Sequence, residues 1–204
     1  DWAREIQDLM KIDRQKGVQA FCNIVEGAEK RIDAQVWREF EFALHRELND
    51  EQNIALAREF VEDQICFHGM AAQLNFHFDV DKKTGEEKPH CHVLVTTRRL
   101  EENGLSPKKE RDWNAKSFLC ELRMKWGEYS NFHLKLNGND IHIDHRSNKE
   151  RGIEMEPQPK LGRGVRECEE RLQRLEGNIE KTEKDSPILD KVKAFYDVQL
   201  RNLY

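Results

Sequence analysis

The chain has 204 residues, of which 37% are hydrophobic and 36% charged, and a formal net charge of -5. That length buries one core of ordinary domain size and leaves room for a polar appendage, while the negative balance excludes a protein that coats nucleic acid indiscriminately. Five scattered cysteines without a CxxC pair argue against a disulfide framework or a thiolate zinc site and for a reduced, cytosolic setting; no apolar run nears the roughly 20 residues that span a bilayer.

Residues 1 to 32 space Trp2, Ile6, Leu9 and Met10, then Phe21, Ile24, Val25 and Ala28, for two helices parted at Gly17. Over 38 to 44, Phe40, Phe42 and Leu44 alternate with Glu39, Glu41 and Ala43, the period-2 pattern of a strand with one face in a core. Asn49-Asp50 suits the cap of a helix carrying Ile54, Leu56, Phe60 and Val61, with Gly69 as its stop. Residues 71 to 79 and His90 to Arg98 read as two strands of an antiparallel hairpin, joined by a polar loop from Asp81 to Pro89. A helix is expected over 114 to 136 and a short strand at Ile141 to Ile143. Beyond Pro157 and Pro159 the composition shifts to Glu, Arg, Lys and Leu. The expected division is therefore a domain over 1–164 and a helical tail over 165–204, and the alternation of strands with helices makes the class α+β or mixed α/β.

The chemistry concentrates on His77, His90 and His92. Residues i and i+2 of a strand project from one face about 7 Å apart, so His90 and His92 can reach one ion, and a hairpin brings His77 alongside. Three neutral imidazoles leave coordination positions open for substrate oxygens, the pattern of a catalytic metal site; the plainer reading is a set of exposed or hydrogen-bonded histidines. Thr96, Thr97 and Arg98 follow at once, and hydroxyls beside a guanidinium suit phosphate. Residues 88 to 125 carry nine Lys or Arg against five Asp or Glu, a local excess that suits DNA as well as it suits an ordinary solvated face. Glu39 and Glu41 read either as the exposed side of an edge strand or as outer-shell carboxylates orienting a metal-bound imidazole.

Several separated stretches carry a family resemblance: Arg38-Glu-Phe-Glu-Phe-Ala-Leu-His-Arg-Glu-Leu48, His77 followed by Pro89-His-Cys-His-Val-Leu-Val-Thr-Thr-Arg98, Arg111-Asp-Trp-Asn114, Ile143-Asp-His-Arg-Ser147 and Glu156-Pro-Gln-Pro-Lys-Leu-Gly162. In this order they resemble the MobA/MobL or TraA-type conjugative relaxases of the HUH single-strand endonucleases. The resemblance implies a central antiparallel sheet flanked by helices, and a divalent ion held by His77, His90 and His92, magnesium or manganese before zinc. It implies that this ion polarises the scissile phosphate of single-stranded DNA at a transfer origin, with accessory relaxosome and coupling proteins as partners in a bacterial cytoplasm. Glu39 is the first choice for the outer-shell acid or base and Glu41 the second. Arg146 is assigned a DNA contact, though a polar turn closing the sheet explains its stretch equally well. Trp113 and Trp126 fit helix packing better than base stacking.

The family's nucleophile is a tyrosine near its N-terminus, which attacks the phosphate and becomes joined to the DNA 5′ end. Here the tyrosines are Tyr129, Tyr196 and Tyr204, and none occupies that motif. The expectation is that the attacking tyrosine lies outside this chain; the alternative is a nuclease-dead remnant that binds metal or DNA.

Overall fold

The structure, a computed structural model, describes residues 2–80 and 85–155. Two units divide the chain, Asp1–His145 and Arg146–Tyr204. The expected tail over 165–204 lies outside the described residues.

The first unit opens with α1 (Trp2–Ile12) and α2 (Arg14–Gly27). The break falls at Asp13, not at Gly17: the Asp13 side chain accepts from the Lys16 backbone N–H and so caps α2. Gly17 sits inside α2, where a Cβ would lie 2.7 Å from the Met10 backbone. Its role is close approach of the two helices.

Strand β1 (Trp37–Ala43) leads through a tight loop into α3 (Asp50–Gln64). Asn49 and Gln52 form a reciprocal capping box at the start of α3. Inside the helix, buried Asn53 accepts from His45 N–H and donates to the carbonyls of His45 and Leu48, which fixes the loop leaving β1. A short 3-10 turn, Cys66–His68, ends at Gly69 in the left-handed region (φ 82°), the stop expected from the sequence.

β2 (Ala72–Val80) and β3 (Glu87–Thr96) then pair antiparallel, and β3 also pairs antiparallel with β1, giving the order β1-β3-β2. The ladder of β3 starts three residues before the expected His90, because the polar run through Pro89 pairs with the end of β2. At its other end β3 stops at Thr96. Arg98, expected as its last residue, instead begins β4 (Arg98–Glu101), which pairs with β5 (Gly104–Lys109) in a separate two-stranded ribbon. The sequence reading missed this ribbon, although Asn103-Gly104 is a turn signal and Gly104 has φ 126°. Helix α4 (Lys116–Leu136) completes the layer. Ile141 to Ile143 forms no ladder; Asn131 of α4 clamps Ile143 by accepting from its N–H and donating to its carbonyl.

One sheet face meets α3 and α4. Cys91, Val93 and Val95 of β3 are fully buried there, with Phe42, Phe60, Val61 and Leu122. Phe60 contacts Phe42, Trp126 and Tyr129 edge-on, with centroids 5.0 to 5.5 Å apart, an arrangement favoured by the ring quadrupoles. The architecture is α+β, an antiparallel sheet flanked by helices. Among the described residues no helix is long and apolar enough to cross a membrane.

Candidate metal centre

The opposite face of the sheet carries the histidines. The register sets His77 directly against His90, and Asn75 and Glu41 on either side of His92. Residues paired across antiparallel strands share a face. The three imidazoles therefore cluster, with ring centroids 5.0, 5.1 and 5.2 Å apart. This face is sealed at one end, where Trp37 meets Phe21 of α2 at 6.1 Å, and open at the histidine end, where the side chain of His77 is 46% exposed.

Two of the rings are oriented by acceptors. His90 Nδ1 lies 2.8 Å from the Lys88 carbonyl and His92 Nδ1 lies 2.8 Å from Glu39 Oε1. Since a carbonyl or carboxylate oxygen accepts, each Nδ1 donates, and in the neutral ring each Nε2 then holds the lone pair. That is how ligating histidines are held by their outer neighbours. Glu41, although directly opposite His92 in register, makes no such contact; the carboxylate that reaches the ring is Glu39, one pair along the diagonal.

The tightest group of ligand atoms among the described residues adds one that the sequence reading missed. Nitrogens of His77 and His90 and an oxygen of Asp79 lie within 4.8 Å of one another. Asp79 is two residues beyond His77 on β2 and so shares its face, a spacing that was visible in the sequence. His92 is absent from this tightest group but its ring adjoins both the others. Three imidazoles with two oriented Nδ1–H groups, beside a hard carboxylate, fit a divalent cation with open positions.

The residues expected to touch phosphate are placed differently. Thr96 and Thr97 are buried: the Thr96 hydroxyl accepts from Ala71 N–H and the Thr97 hydroxyl donates to the Val36 carbonyl. Arg98 turns inward, donating to both oxygens of Glu29 and to the carbonyls of Ser106 and Pro107, and its side chain is only 13% exposed. These three hold the ends of the strands together. Arg146 is exposed and belongs to the second unit.

The other stretches that carry the family resemblance also find structural partners. Arg38 is buried and donates to the Asn114 side chain and the Glu110 carbonyl while lying 5.8 Å from the Trp113 ring; Trp113 in turn stacks on Phe118 at 4.5 Å, and Trp126 on Phe42 at 4.9 Å. Among the described residues the one tyrosine is Tyr129. Its hydroxyl donates to Asp63 and accepts from Gln64. The Asp63 carboxylate, helped by burial, pushes the phenol above its ordinary value, the reverse of what an attacking oxygen needs.

An antiparallel sheet with three histidines clustered at the open end of one face is the architecture these elements define. The family model for the MobA/MobL family matches residues 12–171, and the chain belongs to this family of conjugative relaxases. It is 40% identical over 169 residues to the "Conjugal transfer protein TraA" of Agrobacterium fabrum, covering 72% of this chain and 15% of that protein. It is 31% identical over 170 residues to the "Mobilization protein MobL" of Acidithiobacillus ferridurans, covering 70% of this chain and 45% of that one. A solved structure titled "Molecular Basis of Vancomycin Resistance Transfer in Staphylococcus aureus" is 37% identical with a TM-score of 0.54, covering 61% of this chain and 64% of that one. The chain thus spans about a seventh of the TraA protein and under half of MobL.

Proposed function

We propose that this chain supplies the metal- and DNA-binding part of a relaxase that nicks one strand at an origin of transfer. The observation that carries this reading is the cluster of His77, His90 and His92 with His92 held by Glu39. Magnesium or manganese, held by the three histidines with Asp79 at hand, would supply Lewis-acid polarisation of the scissile phosphate. The chain's own residues do the rest of the positioning. Lys88 and Glu39 fix the imidazole tautomers, and the open end of the sheet leaves room for an extended single strand to lie across the histidines. Glu39 is the outer-shell group, with Glu41 as the second carboxylate of the same face.

The nucleophile is a tyrosine supplied from outside this chain. Its oxygen forms the new bond to phosphorus, the bond from phosphorus to the 3′ oxygen breaks, and that oxygen leaves as the 3′ hydroxyl, so the protein ends on the DNA 5′ phosphate. The domain doing this is assigned to 1–164, in a bacterial cytoplasm with relaxosome and coupling proteins as partners. The test is covalent capture. Joined to a tyrosine-bearing segment of its family, the chain is expected to form a manganese-dependent 5′ adduct with single-stranded origin DNA. No adduct across candidate origins, together with retained binding of single-stranded DNA, would favour the nuclease-dead binding protein instead.

A further inference from the structure

The three imidazoles are not equally supported. His90 and His92 each turn Nδ1 to a fixed oxygen, whereas among the described residues no carbonyl or carboxylate lies within hydrogen-bond distance of either His77 nitrogen. What His77 has instead is Asp79, two residues along β2 and on the same face, with Oδ2 4.0 Å from Nδ1. That separation is too long for a hydrogen bond. It does suit two ligands of one ion, because donor atoms about 2.1 Å from a metal stand about 3 Å apart at right angles and about 4.2 Å apart when opposed. The nitrogens of His77 and His90 and the oxygen of Asp79 all lie within 4.8 Å of one another. Drawing such a set onto an ion needs side-chain shifts of only about 1 Å, and the side chains of His77 and Asp79, 46% and 72% exposed, have room to make them.

We propose that Asp79 is itself a metal ligand, forming with His77 and His90 a two-histidine, one-carboxylate set that tilts the site toward oxygen-seeking cations, an inference that rests on the metal-site reading above. Imidazole nitrogens alone favour nickel, copper and zinc, and the general order of divalent affinity places manganese well below all three. A carboxylate is the ligand type that suits manganese and magnesium. It also brings a negative charge to the ion, which three neutral rings do not. His92, whose ring stands 5.2 Å from His77 and 5.1 Å from His90, supplies the fourth donor. A six-coordinate cation so held keeps two positions for the oxygens of a substrate. Asp79 thereby sets which metal the site prefers, while Glu39 acts only through the His92 ring.

The experiment uses the chain as it is and titrates manganese and nickel, by calorimetry, into the native protein, Asp79→Asn and Asp79→Ala. Asparagine keeps an oxygen that can accept from His77 Nδ1–H but lacks the charge, so it separates a ligand from a group that merely orients the ring. Losing an outer partner typically costs 10- to 100-fold in affinity. As a ligand, Asp79 should be worth at least the top of that range for manganese, so both variants are expected to bind manganese about 100-fold or more weakly while nickel falls by less than about tenfold. The preference for nickel over manganese then widens by about tenfold or more. Manganese affinity in Asp79→Asn within threefold of native overturns the proposal and leaves the three-histidine site standing. So does an equal loss of both metals in Asp79→Ala that Asp79→Asn restores, which would make Asp79 a positioning residue for His77. A native chain that takes up nickel and manganese not at all overturns this inference and the metal-site reading together.

Discussion

The two faces of β3 differ in what they ask of their residues. Cys91, Val93 and Val95 are sealed under α3 and α4 with no exposed surface, while His90 and His92, each one residue away from a core position, stay accessible. Burial of the first set stabilises the fold at about 25 cal/mol per Å² of apolar surface; the second set contributes little to folding and keeps its lone pairs for a ligand. The contrast extends to titration, since burial pushes the Cys91 thiol up to about 11, leaving it a packing group. One strand thus separates stability from chemistry with a period of two.

Substitutions on the two faces should separate in the same way. Phe60→Ala removes the ring that Phe42, Trp126 and Tyr129 surround; a loss of about 3–5 kcal/mol in urea unfolding is expected, with manganese affinity of the folded fraction preserved. Equal loss of metal binding at saturating folding conditions would show that the faces are coupled.

Glu29→Gln comes next. It leaves Arg98 and Lys109 without their shared carboxylate, at an expected cost of about 2–3 kcal/mol. The effect has a pH signature. The hydrogen bond from Arg98, ahead of the opposing effect of burial, holds the Glu29 carboxyl below its ordinary value. A carboxyl depressed in the folded state gives its full stabilisation above the unfolded value of about 4.3 and loses it as pH falls through the lower folded value. The gap between native and Glu29→Gln should therefore be widest at neutral pH and close in acid. A gap that is flat with pH would remove the ionic account.

The sequence made the histidine site legible because two local rules sufficed: same-face spacing at i and i+2, and a hairpin that returns His77 to His90. Its details were less legible. Period two puts Glu39 and Glu41 on one face, so only the β1–β3 register tells which reaches His92. Arg98 looked free for phosphate because its partner Glu29 lies 69 residues upstream, and no local pattern reports a pairing of that range. Thr96 and Thr97 were misread for a related reason: where β3 ends, their hydroxyls satisfy backbone groups of neighbouring segments. Gly17 looked like a helix break, but glycine serves close packing as readily as it serves a turn, and the polar cap at Asp13 decided the boundary.

On the open face the expected folding effects shrink while the binding effects remain. His90→Ala should change unfolding by no more than about 0.5 kcal/mol, as at other exposed positions, yet abolish measurable manganese binding at micromolar protein by calorimetry. Undiminished binding would remove His90 from the site.

The smallest change on folding, and the sharpest probe of the contrast, falls on Glu39. Its carboxylate is 56% exposed and touches the site only through His92 Nδ1, so neither Glu39→Gln nor Glu39→Ala should move the unfolding midpoint beyond error. The two should differ in metal affinity. An amide oxygen still accepts from Nδ1–H and keeps the ring's tautomer and aim, losing only the charge that makes Nε2 a better donor; alanine loses both. Loss of such an outer partner typically costs 10- to 100-fold in affinity, so Glu39→Ala is expected near the top of that range and Glu39→Gln nearer the bottom. If Glu39→Ala bound manganese as tightly as the native chain, the hydrogen bond to His92 would be an incidental contact of two exposed side chains. If instead Glu41→Ala produced the loss, the register-opposed carboxylate would be the partner once an ion is bound. An ordered series, native above Gln above Ala, requires that the lone pair of His92 is aimed and strengthened by its neighbour across the strand.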